Sequence, residues 1–264
     1  IIWKGNPIAR LKKGNDYLSP ELDIIADDAL SPEYKSKLNI FLNFWLDKHI
    51  NNFLGDLIKL TKHKVENQYL RGLLFQLYEN NGVIKRSEVE KTVKLIPTEQ
   101  RRKLWGMGVK IGRYHVYLPK MLKPKAVEFR INLWKVFNDL SHKEPIPKSG
   151  LNFIVNKNLE KSFLLLCGFE KFNEFFVRID ILEKLFIKII DNTKNRKFKI
   201  NSEMMNLLGC SKDNFYKLMK YMNYKKDKDI DTYIFKGEKK KKEKLIKFDK
   251  KENPFNKLLS LNIK

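Results

Sequence analysis

The chain has 264 residues, with 54 Lys or Arg against 31 Asp or Glu and a formal net charge of +23. A field of that sign attracts polyanions and speeds their capture, so nucleic acid is the expected partner; a membrane surface or plain solubility are the competing accounts. Hydrophobic residues at 42% and aromatics at 12% exclude a disordered chain, and the length favours two compact units over one.

Short extended stretches at Ile1 to Trp3 and Ile8 to Leu11, separated by Gly5, Pro7 and Gly14, predict a strand-bearing N-terminal segment over residues 1–30. Ser31 as N-cap and Pro32 at the first helical position then open a long helix. Its apolar face runs through Leu38, Phe41, Leu42, Trp45, Leu46, Ile50, Phe53, Leu54, Leu57 and Ile58 at three- and four-residue steps. A second amphipathic helix, from about Val65 to Tyr78, stops at Asn80-Asn81-Gly82 and should pack antiparallel to the first. Ser87 with Glu90 reads as a capping box for a short helix to about Ile96, and Thr98 caps another through Trp105.

Strand character follows at Val109, Ile111 and His115 to Leu118, among Gly106, Gly108 and Gly112; Pro119 ends it, and Pro124 starts a helix to about Leu140. Glu144-Pro-Ile-Pro-Lys-Ser-Gly150 is the expected boundary between a helical platform (31–143) and a second unit (151–235). That second unit reads as strand (Leu151 to Val155), helix (about Leu159 to Cys167), strand (Phe175 to Ile179) and helix (about Asp180 to Ile190). A strand at Phe198 to Ile200 and two helices broken at Gly209-Cys210-Ser211 complete it. No internal repeat is read. From residue 236 to 264 the chain becomes a Lys-rich tail, with Lys239 to Lys242 unbroken, ending in an apolar stretch, Asn253 to Leu261, that could dock on a protein partner. The fold class expected is mainly α with small β elements, an α+β arrangement.

The motifs exclude more than they propose. There is no GxxxxGK[ST] phosphate loop and no GxSxG elbow, and Asp27-Asp28 without a phosphate loop reads as a turn or helix-start pair. His49, His63, His115 and His142 are scattered, and Cys167 and Cys210 lack metal-ligand spacing, so both are expected as packed thiols in a reducing, cytoplasmic setting. No catalytic residue, metal or cofactor is expected in this chain, and no apolar run is long enough for a membrane span. The first residue is Ile1, not Met, and no leader-like segment follows it, so a piece of a longer protein is expected.

Two constellations suit nucleic acid. Lys110, Arg113, Tyr114, His115, Lys120, Lys123 and Lys125 place cations and rings beside flexible glycines, a combination that neutralises phosphates and stacks on unpaired bases. Strand alternation would instead turn Tyr114 or His115 inward. Ser202 to Met222 has the spacing of a helix-turn-helix: Met204, Met205, Leu207 and Leu208, then the turn at Gly209, then Phe215, Leu218, Met219 and Met222 inward. Lys212, Asn214, Lys217 and Lys220 face out to meet phosphate, and a strand at Thr232 to Phe235 could form a wing. Protein-contact modules share that pattern.

Met107-Gly-Val-Lys-Ile-Gly-Arg-Tyr-His-Val-Tyr-Leu-Pro-Lys-Met-Leu-Lys-Pro124 and Met204-Met-Asn-Leu-Leu-Gly-Cys-Ser211 resemble the C-terminal region of alphaproteobacterial superfamily II helicases. Ile8-Ala-Arg-Leu11, Ala26-Asp-Asp-Ala-Leu30, Arg71-Gly-Leu-Leu-Phe-Gln76, Val177-Arg-Ile-Asp180 and Asn253-Pro-Phe255 extend the resemblance in the same order. It implies a parent similar to ATP-dependent RNA helicases of the mitochondrial degradosome type, with two RecA-like domains before Ile1 that hold ATP and Mg. It implies that this chain guides single-stranded RNA or DNA leaving the motor. The chain departs from such relatives in carrying Lys where they carry Arg, only nine residues being Arg. That substitution keeps charge and loses bidentate and stacking contacts.

Overall fold

Pairing of alternate residues across the first hairpins explains how the chain begins. In the computed structural model, which describes residues 1–25, 30–138, 145–156, 160–227 and 231–235, β1 (Ile2–Trp3) pairs with β2 (Asn6–Pro7), and β3 (Ala9–Asp16) pairs antiparallel with β4 (Ser19–Ile24). The strand β4 is additional to the sequence expectation, since Pro20 near its start masks its pattern. The hairpin is tied down where the Tyr78 hydroxyl donates to Asp16 Oδ2 at 2.6 Å.

The long helix α1 (Pro32–Lys62) starts where Ser31 and Pro32 place it, although the Ser31 side chain makes no capping bond. Leu42, Leu46, Ile50, Leu54, Leu57 and Leu60 are buried, but Phe41 is 62% and Trp45 39% exposed, contrary to the inward face expected of them. At 1.5 Å per residue a helix of 31 residues spans about 47 Å. That length carries its first turns past the body against which the later leucines pack.

From α2 onward the chain repeats one topology three times, which the sequence reading did not find. The first unit is α2 (Gln68–Glu79), β5 (Val83–Lys85), α3 (Arg86–Leu95), α4 (Thr98–Gly106), β6 (Lys110–Ile111) and β7 (His115–Tyr117), and its sheet has the order β5-β7-β6. After a single 3-10 turn at Pro119–Leu122 comes the second unit. It comprises α5 (Pro124–Phe137), β8 (Phe153–Val155), one helix α6 (Lys161–Leu166), β9 (Phe169–Phe172) and β10 (Phe175–Arg178), with order β8-β10-β9. The third is α7 (Ile179–Asp191), β11 (Lys197–Lys199), α8 (Ser202–Leu208), α9 (Lys212–Tyr221), β12 (Tyr224–Lys226) and β13 (Thr232–Phe235), with order β11-β13-β12. Each unit is thus a helix, a strand, one or two helices and a hairpin whose last strand lies in the middle of an antiparallel sheet. The result is mainly helical with small antiparallel sheets, as the composition of periodic segments predicts.

Local chemistry sets these boundaries. Asn67 accepts from the Leu70 amide, Asn201 from the Met204 amide and Ser211 from the Asn214 amide, three side-chain N-caps. Gly209, at φ +69°, closes α8 in the left-handed conformation that turns the chain into α9. The expected capping box at Ser87 is not used: Lys85 is the N-cap, because it is the last residue of β5 and paired with His115. The first helical amide, of Arg86, is satisfied by the Tyr114 carbonyl at 2.8 Å.

The units share cores across the expected boundary at 144–150. Helix α5 buries Ala126 and Leu133 with the leucines of α1 and α2, while its Val127 and Ile131 pack with Phe163, Leu164, Cys167, Phe169 and Phe176 of the second unit. Arg130 on the same helix is fully buried and donates to the Asn81 carbonyl at 2.5 Å and the Leu166 carbonyl at 2.6 Å, tying the first unit to the second. The third unit has its own cluster around Leu182, Leu185, Phe198, Met204, Phe215 and Leu218. Among the described residues no helix is long and apolar enough to cross a membrane. Asp27-Asp28, His142, Leu140 and the segment 236–264, including Asn253 to Leu261, lie outside the described residues.

Candidate nucleic-acid interface

The third unit presents the more regular basic face. Along α9 the 3.6-residue period buries Phe215, Leu218 and Met219 and leaves Lys212, Lys217 and Lys220 exposed, with Asn214 half-buried. Lys212 is 3.4 Å from Asp231, and its ammonium lies 5.5 Å from the Tyr216 ring centre. Lys226, from the exposed end of β12, reaches the same ring at 5.4 Å. Tyr216, whose hydroxyl donates to Asp231, is therefore flanked by two cations that fix the edge between helix and hairpin. A hydrogen bond with Tyr216 and the charge of Asp231 raise the pKa of Lys212, so its positive charge is secure.

The glycine-rich segment turns out differently from its expected role. Lys110 and Arg113 are exposed, as are Lys120, Lys123 and Lys125, although Lys120 is engaged by Asp56 at 2.9 Å. His115 is 1% exposed, and Tyr114 packs edge-on against Phe186 with ring centres 5.7 Å apart, beside the third unit's core. Neither ring is free to stack on a base. The physical reason is a polar junction that the sequence does not announce and that buries β7 at all three of its positions, so alternation leaves no outward ring.

At that junction the three units meet on carboxylates. Glu183 of α7 accepts from the backbone amides of Arg113 (2.6 Å), Tyr114 (2.8 Å) and His115 (2.9 Å), a nest of consecutive donors. Glu170 of β9 accepts from Lys85 at 2.6 Å and lies 2.8 Å from His115 Nε2, while His115 Nδ1 is 3.8 Å from Glu183. Burial works against a charged imidazole, but the hydrogen bonds and charges of Glu170 and Glu183 outweigh it and raise the His115 pKa. Burial likewise disfavours ionised Glu170, and His115 with Lys85 overcome it, leaving that carboxyl below its ordinary pKa. A Cβ at Gly112 would overlap the Glu183 carboxylate, so glycine is required there by close approach. Among the described residues no group of His, Cys, Asp or Glu could hold a metal ion.

Sequence reading missed the most exposed ring of the region. Helix α4 buries only Leu104, which turns Arg102 and Lys103 outward and leaves Trp105 76% exposed. The signal was present, because one apolar position in nine leaves a neighbouring Trp no core to enter. Arg196 is a second omission: it is exposed in the turn before β11 with φ +62°.

Compared with models of known families, with curated proteins and with solved structures, the chain matches none.

Proposed function

We propose that this chain is a non-catalytic nucleic-acid-binding protein whose third unit docks on a duplex through α9 and the adjoining hairpin. The carrying observation is the combination of topology and charge. Helix, strand, helix, helix and hairpin, with sheet order β11-β13-β12, is the element order of a winged helix-turn-helix, in which the second helix of the pair enters the major groove. Here that helix is α9, which offers Lys212, Lys217 and Lys220 on its outer face and places Lys225 and Lys226 on the wing beside it.

Lysines without a bidentate Arg fork favour backbone neutralisation over base readout. The reading is therefore of duplex held by charge and shape, with little sequence preference. Within a parent of the helicase type that the chain resembles, such a surface would hold the nucleic acid against the motor domains; ATP and Mg would belong to those domains.

Fluorescence anisotropy of the full chain with a labelled 20-base-pair duplex across a salt series tests this. If six to ten phosphates are contacted, affinity falls by ~10³- to 10⁵-fold between about 50 and 200 mM salt. Replacing Lys212, Lys217 and Lys220 by Gln lowers affinity and reduces the slope of log K against log salt by about 3, one per lost phosphate contact. A flat salt profile, or a triple variant that binds like the parent chain, refutes the assignment.

A further inference from the structure

We propose a second site in the chain, a path for a single strand of nucleic acid where the first unit meets the third, with Trp105 as its stacking platform and Arg113 and Arg196 as its phosphate contacts. The proposal rests on the nucleic-acid reading above and adds a different strand, a different surface and different residues. It begins from two clefts that share one wall. The first, about 780 Å³, is bordered by Trp105, Lys110, Arg86 and Lys184. The second, about 690 Å³, is bordered by Thr193, Arg196 and the apolar Ile189 and Ile190. Both are lined by Arg113 and Phe186, whose guanidinium and ring lie 5.7 Å apart. The two hollows therefore meet at this pair.

The chemistry along that path fits a strand and does not fit a closed small-molecule pocket. Cations come from three elements, Arg86 of α3, Lys110 of β6 and Lys184 of α7, and from the turns that carry Arg113 and Arg196, and an exposed indole stands at one end. A positively charged groove that tracks backbone phosphate, beside a ring available to any base, is how single strands are held without sequence preference. Duplex does not meet this requirement, because its bases are already stacked and paired.

The acidic residues on the wall are committed elsewhere. Asp180 is held bidentately by Arg178 at 2.6 and 2.9 Å, and Glu183 is taken up by the three backbone amides of the nest, with His115 Nδ1 3.8 Å behind it. Glu90, which lies within the field of Arg86 and Arg113, is paired with Lys94 at 2.7 Å.

A backbone feature supports Arg196 in particular. Asn195 and Arg196, at φ +50° and +62°, are the central pair of a two-residue turn closed by reciprocal bonds between Lys194 and Lys197 at 2.8 and 2.9 Å. Such turns favour Gly at the second central position, because a side chain there strains the backbone. An Arg at that position, exposed at the edge of a cleft, is strain placed where a cation is of use.

The test uses the full chain with a fluorescein-labelled 12-nucleotide single strand, as oligo-U and oligo-dT, beside the labelled duplex. Trp105→Ala should weaken single-strand binding by about 5- to 150-fold, the weight of one stacked base, and leave duplex binding unchanged. Arg113→Gln with Arg196→Gln should reduce the single-strand salt slope by about 1.4. Trp105→Phe should keep most of the affinity while abolishing the tryptophan quenching that the strand produces in the parent chain. Because Trp105 is 76% exposed, its variants should melt like the parent, which separates lost binding from lost fold.

Unchanged single-strand affinity in Trp105→Ala, or quenching that survives in Trp105→Phe, overturns the path and leaves the α9 assignment standing. Loss of duplex binding in the α9 lysine variant alone, with single-strand binding intact, supports two separate sites. Failure of the parent chain to bind either probe sinks the nucleic-acid reading and this inference with it.

Discussion

Removing the Glu183 carboxylate should loosen the whole molecule, because one side chain of the third unit satisfies three consecutive amides of the first. Charge-assisted hydrogen bonds are each worth about 1.5–3 kcal/mol, and a buried amide left unpaired costs about 1–3 kcal/mol. Water entering the vacated space in Glu183→Ala recovers part of that loss. A net destabilisation of about 3–5 kcal/mol, the usual result of breaking a buried charged contact, is expected. For a chain of this size about 1 kcal/mol corresponds to roughly 2–4 °C, so the melting temperature should fall by about 6–20 °C in circular dichroism at pH 7. Gly112→Ala reaches the same contact from the other side. Its backbone is not left-handed, and the nearest obstacle to a methyl group is the Glu183 carboxylate itself. Alone it should cost about 2–4 kcal/mol; in a Glu183→Ala background the obstacle is gone and the further cost should drop below about 1 kcal/mol, a coupling within the range seen for residues in contact. Additive costs in that cycle, or a melting shift under about 3 °C for Glu183→Ala, would refute the account of Glu183 as the tie between units.

The neighbouring imidazole predicts a pH dependence with opposite signs on its two sides. The His115 pKa is raised on folding, so its contribution is full below the ordinary value near 6.5 and is lost as pH rises through the folded value; Glu170 is lowered, so its contribution is full above about 4.5 and is lost as pH falls through its own folded value. Melting temperature against pH should accordingly decline on the alkaline side in the parent chain and show less of that decline in His115→Gln; superimposable profiles would dismiss the imidazole as the titrating group. Arg130 offers an independent check, since burial pulls its pKa down to about 10 while two carbonyls hold it. Arg130→Ala should lower the urea midpoint by the equivalent of about 3–5 kcal/mol through a cavity and two orphaned carbonyls, and a change under about 1 kcal/mol would rule that out.

Helices were legible in the sequence where one period governed enough residues. Ser31-Pro32 marks the start of α1, the Asn80-Asn81-Gly82 stop ends α2, and Phe215, Leu218 and Met219 give the inner face of α9. Strands of two to four residues were legible only in part, because alternation over so few positions does not outweigh local noise. β9 follows directly on Cys167-Gly168 and is left without an assignment by the sequence pattern, while β5 and β12 hold three residues each. Of the nucleic-acid residues expected from composition, the lysines of α9 emerged on an outer face. The rings Tyr114 and His115 did not, since their environment is made by Glu170 and Glu183, more than 50 residues away along the chain. No local pattern carries that distance.

The threefold topology was hidden for a related reason, and it bears on how the two proposed sites divide their work. What the units hold in common is a sheet order and a set of buried positions, and neither requires identical residues: α4 buries a single Leu104 where α9 buries Phe215, Leu218 and Met219. Among the described residues, the second unit has one helix, α6, between its first strand and its hairpin, where the first and third have a pair. Its side chains are spent on neighbours instead: Arg130 of α5 on the first unit, Glu170 of β9 on Lys85 and His115, and Asn152 before β8 on the Leu207 carbonyl of the third unit at 3.0 Å. A unit committed to both flanks in this way fixes the outer two relative to each other. The first and third units can therefore specialise, α9 for a duplex backbone and the Trp105 to Arg196 path for a single strand, while the angle between those two strands is held by the polar junction. If so, Asn152→Ala, which removes the second unit's bond to the Leu207 carbonyl and borders neither cleft, should weaken a forked probe, duplex with a single-stranded arm, more than the product of its effects on the two separate strands.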